Sequence, residues 1–266
     1  MTTLPPETSP NATRTPASRP PAQLASGRGT AFIAIALLVL LLLFTHYLST
    51  QTSLRAQSNA QLPRFGVCKP VSERTTEMGC WILVDHPIGP IGQAQTFWHL
   101  DIYSTHALAE KAKGPRGTVV ESLGKVWLLT IEKAGWRPDL AGERIAEIGP
   151  LPVIAGEPYS ALLMEAISTP GTTSAIHTHS GPEAWYTVSG ETCLETPNGK
   201  LVGRAGGPPV IVPGGPPMQL TATGTGERRA LTLILHESSK PPTTVIHNWT
   251  PKGLCQVSQA QPNPGH

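Results

Sequence analysis

The chain has 266 residues, a formal net charge of +2 and 14% charged residues, enough for one large domain or two modest ones. That balance gives no electrostatic case for a nucleic-acid partner, and no G-x-x-x-x-G-K-[ST] phosphate loop, G-x-S-x-G nucleophile elbow or H-E-x-x-H helix occurs in it. With 28 Pro and 26 Gly, many short strands and turns are expected and few helices.

Residues 1–30 carry six prolines and the basic Arg14, Arg19 and Arg28 against the single acid Glu7. Such a segment cannot bury a core and reads as a disordered cytoplasmic tail. Residues 31–48 follow, AFIAIALLVLLLLFTHYL, and their first 14 are apolar without a break. The run is long enough to cross a membrane once, and the preceding arginines place its N-terminal side in the cytoplasm, so the rest of the chain is expected outside. The same run fits a secretory signal with cleavage near Ser58-Asn59-Ala60, which would leave a secreted or periplasmic protein. In either reading, residues 49–64 are a Gln- and Ser-rich linker.

An exported chain can oxidise its cysteines, here Cys68, Cys80, Cys193 and Cys255. Three pairings are open, and Cys68–Cys80 with Cys193–Cys255 would staple the N-terminal loop and hold the C-terminal tail. Residues 65–150 mix strand-like stretches (WILVD at 81–85, TFWHLDIY at 96–103, GTVVESL at 117–123, KVWLLTI at 125–131) with a helix-forming run from Thr105 to Lys113. This describes a small α+β region or a degenerate half-barrel. Its histidines His86, His99 and His106 are scattered, so no second metal site is expected there, and His99 reads as a structural histidine. Residues 149–158, GPLPVIAGEP, are rich in breakers and join the two parts.

The stretch from Gly171 to Gly190 is the most chemically loaded of the chain. His177 and His179 flank one residue, so in a strand both imidazoles point to one side. Ser180-Gly181-Pro182 is turn chemistry that returns the chain, letting Glu183 open a neighbouring strand and face the same interior. Two nitrogens and one oxygen suit one divalent transition metal, iron or manganese first, with zinc or copper also compatible.

The stretch matches the first cupin motif, Gly-x5-His-x-His-x3-Glu-x6-Gly, at Gly171, His177, His179, Glu183 and Gly190. The second motif is partial: Gly207, Pro213 and Gly215 are in place, but Met218 and Ala222 stand where cupins have His and Asn. The chain thus resembles the cupin superfamily over about residues 158–240. The resemblance implies a jelly-roll barrel holding a metal, and makes a homodimer plausible. Met218 has three readings: a weak axial ligand, an apolar wall beside a three-ligand site, or the mark of a site that has lost its metal.

Around the motif, YSALLMEAIS (159–168) looks buried on both faces, Asn198-Gly199 signals a hairpin, and VIVP (210–213) and ALTLILHE (230–237) continue the sheet. Period two puts Trp185 and Thr187 on the face of Glu183, and Leu220 on that of Met218, as pocket candidates. His236 is a weaker candidate for a substitute ligand. Residues 241–266 read as a covering tail pinned by Cys255. The expected whole is a mainly β chain: a transmembrane helix, an α+β or degenerate-barrel region, then a cupin barrel. Its expected function is that of an exported or membrane-anchored metalloprotein acting on a small organic molecule, of dioxygenase type, or alternatively a non-catalytic small-molecule binder.

Overall fold

A computed structural model of the chain describes residues 38–46, 68–92 and 95–257. The chain divides into two compact units, Met1–Ala60 and Gln61–His266. In the first, residues 38–46 are helical, and the side chains from Leu38 to Phe44 are exposed. Among the described residues no helix is long and apolar enough to cross a membrane. The rest of the 31–48 span, the tail at 1–30 and the linker at 49–64 lie outside the described residues.

The second unit is built from strands, in chain order β1 (Lys69–Pro70), β2 (Gly79–Pro90), β3 (Thr96–Tyr103), β4 (Gly117–Ser122), β5 (Lys125–Lys133), β6 (Glu143–Leu151), β7 (Pro158–Ser168), β8 (His177–His179), β9 (Glu183–Ser189), β10 (Glu191–Thr196), β11 (Gly199–Arg204), β12 (Val210–Val212), β13 (Gln219–Thr223), β14 (Arg228–Glu237) and β15 (Thr243–Val245). Its one α-helix among the described residues, α1 (His106–Ala112), starts where the Thr105 side chain accepts a hydrogen bond from the Leu108 amide. The mainly β expectation holds.

Four sheets result. β1-β2-β7-β14-β9-β12 form a six-stranded sheet; β11-β10-β13 and β15-β8 are smaller sheets; β4-β5-β3-β6 form a fourth. β7 explains the layering. Its Tyr159, Ala161 and Leu163 share one cluster with Trp98, Leu100, Trp127, Leu129 and Ile148 of the four-stranded sheet, while Leu162 and Met164 on its other face pack with Ile234. A strand buried on both sides needs an apolar run rather than alternation, which is what 159–168 shows, and each such Leu contributes about 1.5–3 kcal/mol. The four-stranded sheet therefore backs the six-stranded one, and β2, from the region before the motif, pairs with β7 inside the barrel sheet.

The one charged residue in that run, Glu165, is buried, and its carboxylate accepts from Ser122 Oγ at 2.5 Å and pairs with Arg74 at 2.8 Å. It ties β7 to the turn after β4. On the far face of β3, Asp101 takes two hydrogen bonds from Arg144, at 2.7 and 3.1 Å, beside buried His99.

The sequence reading picked out neither β6 nor β13, nor the short β1 and β15. β6 lies over ERIAEIGPL and extends into the stretch read as a joining segment, and β13 carries Leu220. The β10–β11 hairpin pairs Thr196 with Gly199 across Pro197-Asn198, so the tight turn sits one residue earlier than the Asn-Gly signal suggested. Both expected disulfides are formed, Cys68–Cys80 and Cys193–Cys255. The second pins the tail segment, whose β15 pairs with β8 through Thr243–His179, Thr244–Thr178 and Val245–His177.

Candidate metal centre

β8 is three residues long, and Thr178 at its centre leaves His177 and His179 on one side, their ring centroids 4.7 Å apart. The turn to β9 has little freedom. A Cβ added at Gly181 would stand 1.8 Å from the Leu235 carbonyl oxygen, so a side chain there would push the strands apart. At the end of β9, Gly190 has φ +69, a conformation that suits glycine. Glu183 at the start of β9 thus faces the imidazoles, and ligand atoms of His177, His179 and Glu183 all lie within 4.8 Å of one another.

The neighbours of the histidines set their tautomers. His177 Nδ1 is 2.8 Å from the Ala175 carbonyl and His179 Nδ1 is 2.8 Å from that of Pro242. A carbonyl only accepts, so each Nδ1 carries the hydrogen and each Nε2 presents a lone pair to the interior. His179 Nε2 and Glu183 Oε2 are 3.1 Å apart, yet both are buried without a hydrogen bond of proper geometry. Two buried acceptor atoms aimed at a common point are costly alone and fit a cation. The donor set fits a divalent transition metal.

Without a cation the two imidazoles are driven in opposite directions. Burial and the neighbouring His179 hold the His177 imidazole below its ordinary range, against the opposing pull of Glu183. Burial also pulls down His179, but the Glu183 carboxylate and the Pro242 carbonyl outweigh it, and its pKa is raised.

Beside the three ligands is a cavity of about 310 Å3. Its walls are Ile82, Leu162, Met164, Ala166, Trp185, Leu220, Ile234, Pro242, Val245 and the Cys68 and Cys80 side chains; Ser174, Arg228, Thr232 and Thr243 add polar groups. An apolar cavity with a few converging polar groups is the ordinary form of a small-molecule site.

Of the expected pocket residues, Trp185 and Leu220 line the cavity. Thr187 is buried but lies outside that lining, its hydroxyl towards Gly203. Met218 pairs with His177 across an isolated bridge and is fully buried in a cluster with Trp185, Leu194, Val210, Val212 and Leu220, outside the cavity lining. His236 is engaged elsewhere, with Asp85 at 3.2 Å and the Glu237 and Lys240 carbonyls. Reasoning from sequence missed Arg228, Thr232 and Pro242. Arg228 and Thr232 stand at period two with Ile234, a pattern that extending the strand two residues before Ala230 would have exposed.

No family model matches the chain, and no curated protein does. Among solved structures it is similar to a cupin-like protein from Thermotoga maritima (14% identity, TM-score 0.30, 32% of this chain and 64% of that one). It is also similar to an oxalate oxidase (19%, 0.28, 32% and 46%) and to an uncharacterized Klebsiella pneumoniae protein with a double-stranded β-helix domain (18%, 0.28, 37% and 77%). These likenesses concern about a third of this chain and say nothing of its activity.

Proposed function

We propose that the chain is an extracytoplasmic metalloprotein, tethered through residues 31–48, that binds one iron or manganese ion through His177, His179 and Glu183 and acts as a dioxygenase-type oxidoreductase on a small organic molecule. The observation that carries the metal is the pair of orphaned buried atoms, His179 Nε2 and Glu183 Oε2, converging with His177 next to the cavity. A bound ion supplies Lewis acidity and open coordination positions at that point.

The chain's own residues do the rest. The Ala175 and Pro242 carbonyls orient the imidazoles. Trp185, Leu162, Met164 and Ile234 keep bulk water from the reacting region and shape the ligand's apolar part. β15, hydrogen-bonded to β8, closes the cavity on the tail side.

Met218, in place of the imidazole of the cupin motif, favours a second reading in which the cavity binds its ligand without turnover. Oxygen uptake by the iron-loaded full-length chain, measured against a panel of small organic acids, separates the two. Uptake that needs the metal and disappears in His177→Ala supports the oxidoreductase; saturable binding with no uptake leaves the binder.

A further inference from the structure

One cavity residue is used by neither the metal site nor the core. Arg228 opens β14, pairing with Ser168 of β7. Because β14 and β7 stay in step from Arg228 to Glu237, Arg228, Ala230, Thr232 and Ile234 all point to the interior. The residue is 1% exposed and lines the same cavity as the three ligands. Its Nε donates to Thr192 Oγ1, which anchors the base of the guanidinium, whereas Nη2 is buried with no hydrogen-bond partner. No acidic side chain forms an ion pair with it among the described residues.

A buried guanidinium with no carboxylate ion-paired to it and an unsatisfied Nη2 is expensive, so the position calls for an anion. We infer that Arg228 is the specificity-determining residue of this cavity and that it binds the carboxylate of an organic acid whose apolar body lies against Leu162, Met164 and Trp185. The inference rests on the cavity of the proposed function and names its substrate class. The guanidinium's planar fork matches a carboxylate and stays charged at neutral pH. Burial holds its pKa down, to about 10, with Glu183 pulling it up. Glu183 is opposite Ile234, six residues along β14 from Arg228, and both side chains line the one cavity. The ligand's carboxylate thus meets the guanidinium and not the three metal-binding side chains.

The test compares pentanoate with pentanamide, titrated by calorimetry into the full-length protein as purified and after treatment with a chelator, with metal content measured on each sample. The expected result is pentanoate binding at least about tenfold tighter than pentanamide in both samples, the preference lost in Arg228→Gln and partly kept in Arg228→Lys. Equal affinity for the two compounds in the wild-type chain overturns the inference, and this reading does not depend on any variant folding. A preference that vanishes on chelation also overturns it, because the carboxylate would then sit on the metal. A protein that holds no metal as purified and takes none up on addition, yet keeps the Arg228-dependent preference, refutes the metal reading alone.

Discussion

Removing the Cys193–Cys255 disulfide should act on the metal centre from a distance. The bond closes a separation of 62 residues, and the loop-entropy relation gives about 4 kcal/mol for that length, against about 3 kcal/mol for the separation of 12 in Cys68–Cys80. Its effect is also local. The tail it pins carries Pro242, whose carbonyl holds His179 Nδ1, and Thr243, which pairs with His179 across β15 and β8. Losing an outer partner of a ligating histidine typically costs 10–100-fold in metal affinity. Cys193→Ala with Cys255→Ala should therefore lower unfolding free energy by up to about 4 kcal/mol in urea and weaken iron or manganese binding about 10–100-fold under conditions where the variant is still folded. Lost stability with unchanged metal affinity would show that the tail does not orient His179.

Two further expectations concern single residues. Met218→His puts an imidazole opposite His177, where the cupin motif has one, and should tighten metal binding in a competition titration, at a cost in stability because the side chain leaves the cluster with Trp185 and Leu194; unchanged affinity would mean that this position does not reach the metal. His99 bears on acid stability: its Nδ1 accepts from Arg144 at 2.8 Å, its Nε2 lies 3.0 Å from the Lys133 carbonyl, and burial and Arg144 hold its pKa below 6.5. A lowered histidine pKa means that the unfolded chain takes up the proton first, so this contribution is complete above pH 6.5 and is lost as pH falls below it. His99→Gln should flatten part of the stability slope below about pH 6.5, and an unaltered slope in urea unfolding would contradict this.

The site was legible because its geometry is local. His-x-His on a strand, a turn of Ser-Gly-Pro and the next strand's first residue are set by alternation and turn chemistry alone, so His177, His179 and Glu183 meet wherever that local structure forms. The disulfides were legible for a different reason, since four cysteines leave only three pairings. What escaped depends on partners distant in sequence. β6 has Ile145, Ala146 and Ile148 broken by Glu147 and Gly149, a weak pattern that becomes a strand by pairing with β3. The joining of β2 to β7, across about 70 residues of sequence, carries no sequence signal at all. Pro242 acts through its carbonyl, which side-chain chemistry does not reveal. Arg228, by contrast, was visible, but a charge two residues before an apolar run reads by default as a strand end in solvent.

The central claim is that His177, His179 and Glu183 hold a metal, and the metal content of the full-length protein purified without chelator tests it most directly. Close to one iron or manganese per chain is expected, falling to near zero in His177→Ala with the fold intact by circular dichroism. A folded wild-type chain that carries no metal and takes none up from added iron, manganese, zinc or copper would contradict it.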